Sequence, residues 1–410
     1  MMKNISRLIN NDVFVNYSFM TILQAINAFI YLLVYPVVIT ALGTTQYGHY
    51  IFATTICLYF SLVIQYGFDL PSIKYLADNK LIKETESEAV SNVVYSRVII
   101  FSLSFLLFLI LYEVLDLDPL YLICFLTPLS AVFNLNWFYQ YKQNMKVTVL
   151  IDLISKAVVM LAIYLTITNE GDTRRLAFLM NMSNISSVCM SFIFAIFSYK
   201  LKIKPLSFTK IKKLFIISTP FFFSSGINTF KQKSIEIMIG VGVGFDGLAI
   251  YDLANKIYSI PALFATNINA ALLPRFISSI TKSIFKKIVL YETAFSFLMI
   301  AVVYSLGDEL ARYLGAGELN AAYELSVLLS VNIFNFLVVG SIIYFIFMPH
   351  GRAKLIAYNQ LIATISFMSM SLIMLLYNKS IYSIVISLIL SGFVELLFCC
   401  YQARKIWWSK

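Results

Sequence analysis

The chain has 410 residues, of which 60% are apolar, 16% aromatic and only 13% charged. That composition excludes an ordinary soluble globular domain. The net charge of +10 does not point to nucleic acid, because the cations sit in short connections between apolar runs, where topology and anionic headgroups account for them.

Twelve apolar runs are predicted as membrane-spanning helices, at roughly 14–42, 47–69, 90–112, 119–139, 147–168, 176–199, 214–243, 247–273, 288–306, 321–348, 355–377 and 381–401. Each is long enough to cross a hydrocarbon core of ~30 Å at ~1.5 Å per helical residue. The first has only Lys3 and Arg7 ahead of it and no small-residue cleavage site, so it reads as a span and not as a removed leader. With the N-terminus inside, 22 of the 31 basic residues fall on one side: Lys3 and Arg7, then the groups at 74–83, 142–146, 200–213, 275–287, 352–354 and 404–410. The other side holds only Arg174, Arg175, Arg312 and Lys379. This bias predicts an even number of spans with both termini cytoplasmic. The connection 200–213 carries six lysines and Pro205 and divides the spans six and six. It is therefore the expected linker between an N-terminal lobe, 1–199, and a C-terminal lobe, 214–410.

Spans one, seven and eight are the least apolar. At 100° per residue, Asn16, Gln24, Asn27 and Tyr31 share one face of span one. Ser218, Ser225, Thr229, Gln232, Lys233 and Glu236 share a face of span seven, and Asp252, Asn255, Lys256, Ser259, Thr266 and Asn267 a face of span eight. Polar stripes at helical period fit a water-filled interior better than interhelical hydrogen bonding alone. Five cations, Arg97, Lys156, Lys231, Lys233 and Lys256, lie within spans, where a charge is costly and usually functional.

Other motifs carry little. Gly242, Gly244 and Gly247 fit a dinucleotide fingerprint, but an apolar helix precedes them where a strand is needed. The chain has no phosphate-binding P-loop, and His49 and His350 lack companions at metal-ligand spacing. The five cysteines lie inside spans without CxxC spacing. No catalytic constellation is readable, and no metal, cofactor or enzymatic activity is expected.

Several strings occur in order. Tyr35-Pro36 precedes Ala41-Leu42-Gly43 and Gln46-Tyr47-Gly48. Gln65 to Leu70 leads into Lys74-Tyr75-Leu76-Ala77, and Asn136-Trp137-Phe138-Tyr139-Gln140 leads into Lys142 and Lys146. Ile250-Tyr251-Asp252 with Ala254-Asn255-Lys256 precedes Leu273-Pro274-Arg275. Together they resemble the Wzx-type O-antigen and polysaccharide flippases of the MOP exporter superfamily, in motifs from about residue 15 to 280. Tyr141 departs from the pattern, which often has glycine after the Trp-x-x-Gln run.

The resemblance implies an all-α integral membrane protein with two six-helix lobes around a central, cation-lined cavity. It implies transfer of undecaprenyl-pyrophosphate-linked oligosaccharide across a bacterial inner membrane by alternating access, with membrane lipids, an O-antigen polymerase and a chain-length regulator as partners. For such a substrate, Lys233 and Lys256 are the leading pyrophosphate ligands, since desolvated anionic charge must be paired. Lys231 points about 200° away from Lys233 on the same helix. Arg97 offers a planar fork suited to phosphate oxygens. Asn16, Gln24, Asn27, Gln232 and Asn255 are the expected polar lining. Glu236, Asp252 and Glu395 are candidates for ion coupling, against the alternative that they neutralise the lysines. Asp152 and Lys156, spaced i,i+4, read as a structural pair. The rival functions are a multidrug or cation antiporter of the related efflux branch and a lipid II-type flippase.

Overall fold

The computed structural model describes residues 2–79, 84–266, 268–269, 281–315, 317 and 319–408, with the side chains of 2–32 and of 84, 224, 225, 264, 266, 353, 407 and 408 outside the description. The described residues are almost entirely helical. In chain order they form α1 (Met2–Gln65), α2 (Asp69–Asp78), α3 (Glu84–Val114), α4 (Pro119–Cys124), α5 (Leu126–Phe133), α6 (Asn136–Tyr141), α7 (Met145–Thr166) and α8 (Thr173–Ser198). There follow α9 (Phe208–Gly242), α10 (Phe245–Thr266), α11 (Lys282–Leu314), α12 (Ala321–Ile342), α13 (Ala353–Tyr377) and α14 (Ile381–Trp408).

Among the described residues, nine helical stretches are long and apolar enough to cross a membrane. Their side chains are arranged as lipid requires. Leu103, Leu106 and Ile110 of α3, Leu161 and Leu165 of α7, and Leu372 and Leu376 of α13 are exposed. Ser187 and Ser191 of α8, Ser326 and Ser330 of α12, and Ser387 and Ser391 of α14 are buried. Without a hydrophobic drive between helices, small residues let backbones approach and their hydroxyls bond within the bundle.

Three predicted runs differ in form from simple spans. Runs one and two share the 64-residue helix α1, which would extend roughly 96 Å if straight. It breaks at Gly43, with φ 73° and ψ 167°, a conformation that is essentially glycine's own. Run four consists of α4, α5 and α6. The ring of Pro128 cannot tolerate the carbonyl of Cys124 in a continuous helix, and the chain is extended again at Asn134, where ψ is 114°.

The helices fall into two compact units. The first comprises Met1–Leu42 and Phe52–Gly226, and the second Gly43–Ile51 and Ile227–Lys410. The lysine-rich connection 200–213 thus lies in the first unit, and the division falls within α9. The first unit's core gathers Ile64, Phe68, Val90 and Val93 around the Trp137-Phe138-Tyr139 string. Tyr139 donates from its hydroxyl to the carbonyl of Ser191 at 2.6 Å. In the second unit, Val338, Val339, Ile342 and Phe347 pack with Cys399 and Ala403. A smaller cluster holds Ala265, Ile333 and Leu337.

The segment 43–51 packs on the start of α10. A Cβ at Gly48 would lie 1.9 Å from the Phe245 carbonyl oxygen, whereas one at Gly226 would meet nothing within 4 Å. Gly48→Ala must therefore push this segment off α10. Its melting temperature in detergent is expected to fall by several degrees, as about 1–3 kcal/mol of overpacking requires, with Gly226→Ala unchanged or slightly raised. Equal melting of the two variants would remove the close approach at Gly48 from the account.

Candidate functional site

The second unit holds three lysines inside apolar helices, each beside a carboxylate. On α9, Lys233 Nζ donates to Glu236 Oε1 at 2.6 Å. The i,i+3 spacing places both on one face, with the Lys233 side chain 27% exposed and Glu236 11%. Lys231 leaves the opposite face and lies 4.0 Å from Glu395 of α14. Glu395 also accepts from Asn359 Nδ2 at 2.6 Å, and Asn359 Oδ1 accepts from the Cys399 thiol.

The third lysine is held by two groups. On α10, Asp252 Oδ2 accepts from Lys256 at 2.7 Å and from the Tyr47 hydroxyl at 2.7 Å. Lys256 Nζ is 3.0 Å from the same hydroxyl oxygen. Tyr47 arrives on the 43–51 segment, which is fixed at the other end by Thr44 and Thr45. Both hydroxyls donate to Asp246 Oδ1, at 2.5 and 2.7 Å. Asp246 lies in the first turn of α10, where a negative charge is favoured by the helix dipole. His49 stacks on Phe245 with ring centroids 4.8 Å apart.

The first unit contains a different arrangement. Arg97 of α3 is 1% exposed. Its Nη2 donates to Asp69 Oδ1 at 2.6 Å and its Nη1 to the Asn134 carbonyl at 2.5 Å. The break after α5 frees that carbonyl from helical bonding, and the guanidinium satisfies it. Lys156 pairs with Asp152 at 2.6 Å on α7, and Ser187 of α8 donates to the other Asp152 oxygen at 3.1 Å. This pair lines a cavity of about 230 Å³ with Ser130, Asn134, Asn184 and Ser191 among its walls.

The sequence-derived candidates therefore fall into separate clusters: Lys233 with Glu236, Lys256 with Asp252, Lys231 with Glu395, and Arg97 in the other unit. Gln232 is exposed and Asn255 half-buried. The side chains of Asn16, Gln24 and Asn27, with those of Ser225 and Asn267, lie outside the described residues. Three features were not singled out from sequence. Tyr47 bonds Asp252 across 205 residues, which no local pattern reports. The cavity beside Asp152 was foreshadowed by the polar period of Asn184, Ser187 and Ser191 on α8. Glu292 of α11 is a buried carboxylate bonded to Ser341.

Residues 13–280 match the polysaccharide biosynthesis protein family. The chain belongs to that family. A relative within reach by sequence is the "Putative O-antigen transporter" of Escherichia coli (strain K12), 20% identical over 297 residues, which is 71% of each chain. Among solved structures, the fold is similar to the lipid II flippase MurJ in an inward closed conformation. The TM-score is 0.68 at 13% identity, over 95% of this chain and 87% of that one. An inward-facing multidrug resistance MATE family transporter of the MOP superfamily gives 0.69 at 12% identity, over 92% and 95%. At these identities the structural likeness establishes the fold, which the family member in hand shares with flippases and transporters.

In this family member the α10 ion pair is only partly exposed, at 21% for Lys256 and 15% for Asp252. Removing one partner strands the other. Lys256→Met is expected to cost on the order of 1–3 kcal/mol, and Lys256→Met with Asp252→Asn to recover part of it, since Asp252 also holds Tyr47. Thermal melting of the purified single and double variants checks this. A double-variant loss equal to the sum of the losses of Lys256→Met and Asp252→Asn alone would show that the pair carries no coupling energy.

Proposed function

We propose that this chain is a flippase for undecaprenyl-pyrophosphate-linked O-antigen or related polysaccharide repeat units. It transfers them from the cytoplasmic to the periplasmic leaflet of a bacterial inner membrane by alternating access. In this reading twelve spans form two six-helix lobes, both termini are cytoplasmic, and the product passes to a polymerase and its chain-length regulator. The family match over residues 13–280 carries the proposal. The Escherichia coli relative, named a "Putative O-antigen transporter", supports it.

The chemistry of the substrate selects among the candidate cations. A pyrophosphate leaving water needs cations that can exchange one anionic partner for another without an intermediate, unpaired state. Lys233 meets this condition best, being the most exposed of the embedded lysines whose pairs are described, with a carboxylate partner on its own helix face. Lys256 would have to release both Asp252 and Tyr47. Arg97 is the most deeply buried and also holds a backbone carbonyl. The substrate thus replaces Glu236 at Lys233 first, with Lys256 and Lys231 following as the pathway rearranges. The family match also favours this reading over a drug or cation antiporter.

Deleting the gene in the strain that carries it is expected to abolish the O-antigen ladder and accumulate lipid-linked repeat units on the cytoplasmic side. Wild type and Lys233→Arg should restore the ladder. Lys233→Ala, expressed to the same level, should restore it about 10–100-fold less well, the effect of losing about 1.5–3 kcal/mol from a charged hydrogen bond. An unchanged ladder in the deletion strain, with no second flippase present, would overturn the function.

A further inference from the structure

Three carboxylates among the described residues are buried: Asp172, Glu236 and Glu292. Asp172 pairs with Arg175 at 2.9 Å and Glu236 with Lys233. No described cation lies within ion-pair distance of Glu292, which is 3% exposed. It sits on α11 ten residues past Lys282, about 15 Å along the helix. An ionised carboxylate in that position is costly unless it is paired.

The hydrogen bonds around Glu292 count the protons. Asn269 Nδ2 donates to the Leu337 carbonyl at 3.1 Å. That fixes the amide so that its oxygen, not its nitrogen, faces Ser341. The Ser341 hydroxyl oxygen is 3.2 Å from Asn269 Oδ1 and in direct contact with Glu292 Oε2. Three oxygens therefore meet, and the hydroxyl supplies one proton. If Glu292 were ionised, either Asn269 Oδ1 or the carboxylate would lack a donor. If Glu292 carries a proton, the chain closes: Glu292 donates to Ser341, and Ser341 donates to Asn269. The remaining oxygen, Glu292 Oε1, has no partner among the described residues, which is tolerable for the carbonyl of a neutral acid and expensive for half of a charge. The cluster is closely fitted. A Cβ at Gly340 would lie 2.7 Å from Asn269 Nδ2, so a larger residue there would displace the amide.

Among the described residues, the surrounding helices supply no competing charge. Helices α10 and α12 pack against α11. On α10, Asp246 is engaged with Thr44 and Thr45, and Asp252 with Lys256 and Tyr47. Tyr251 and Tyr258 are its other ionisable groups. On α12, Tyr323 bonds the Tyr304 carbonyl and Glu324 accepts from Tyr382. On α11 itself, Tyr291 is exposed, and Lys286 and Lys287 are one to two turns away.

We infer that Glu292, with Ser341 and Asn269, is a proton-binding site within the second unit, and that it is where the transport cycle takes up and releases a proton. The Ser341 oxygen touches each of the other two, and one carboxyl group with two neutral oxygens is too few ligands for a metal cation, which selects a proton. The site stands on this geometry; its role in the cycle rests on the flippase reading.

Infrared spectroscopy of the purified protein in lipid nanodiscs tests the site without transport. At neutral pH the wild type should show the carbonyl stretch of a protonated carboxylic acid that Glu292→Gln lacks. Ser341→Ala, which leaves the acid in place, should shift that band to higher frequency as its hydrogen bond is lost. Spectra in which neither variant alters a protonated-acid band would overturn the assignment, as would a band abolished by sodium chloride at constant pH. The role is tested in inverted vesicles loaded with lipid-linked repeat units under an imposed pH gradient. Gradient-driven translocation should fall in Glu292→Gln to the wild-type rate measured without a gradient. Retained gradient dependence in that variant would overturn the coupling role. Wild-type vesicles that translocate nothing would overturn the flippase reading instead, and the infrared bands would still decide the site.

Discussion

Charge inside a hydrocarbon layer has to be neutralised where it stands, and the described structure follows this at every embedded cation. Arg97, Lys156, Lys231, Lys233 and Lys256 each have a carboxylate within 4.0 Å. The same constraint governs the backbone. Where Pro128 and the extended Asn134 interrupt the helical ladder, the freed Asn134 carbonyl is taken by Arg97. In water such a carbonyl would find a solvent molecule; in lipid it needs a protein donor. One guanidinium thus makes a broken span tolerable while also neutralising Asp69.

Pairing of this kind makes a stable membrane bundle, but by itself it also makes an inert one. A transported anion has to displace a carboxylate already in place, so the binding energy it gains is the difference between two similar ion pairs. Selectivity then depends on which pairs can be opened at small cost. The three lysines of the second unit are graded in this respect. Lys233 has one partner on its own face, Lys231 has a longer contact to a neighbouring helix, and Lys256 is fixed by both Asp252 and Tyr47. Glu292 belongs to a different class, since its charge is removed by a proton and not by a cation. A proton can leave without any side chain having to travel, which suits an exchange step better than separating a buried ion pair.

The 43–51 segment adds a second constraint. It belongs to the second unit, yet the chain on both sides of it belongs to the first. Two threonines on Asp246 and a tyrosine on Asp252 hold it, while Gly43 supplies the backbone conformation at its entry. Asp252 is therefore shared between a lysine and the anchor of this segment. Any change that removes its charge weakens both contacts together, so their energies cannot be treated as independent.

How much of this could be read from the sequence follows from the range over which each interaction acts. Helical period alone places Lys233 near Glu236, Lys256 near Asp252 and Lys156 near Asp152, because residues three or four apart share a face. The same period sets Lys231 on the opposite side. It cannot say which helix waits there, and Glu395 is visible only in the folded chain. Arg97 and Asp69 are 28 residues apart, so the arginine looked available for substrate until its partner was located. Glu292 is the sharpest case. Its neighbouring lysines in sequence, Lys286 and Lys287, are six and five residues back and lie off its face. A charged residue near two cations in a string of letters becomes, in three dimensions, a carboxyl group facing a hydroxyl and an amide oxygen. Its protonation is a property of that meeting of α11, α12 and Asn269 beyond α10, and no single stretch of the chain contains it.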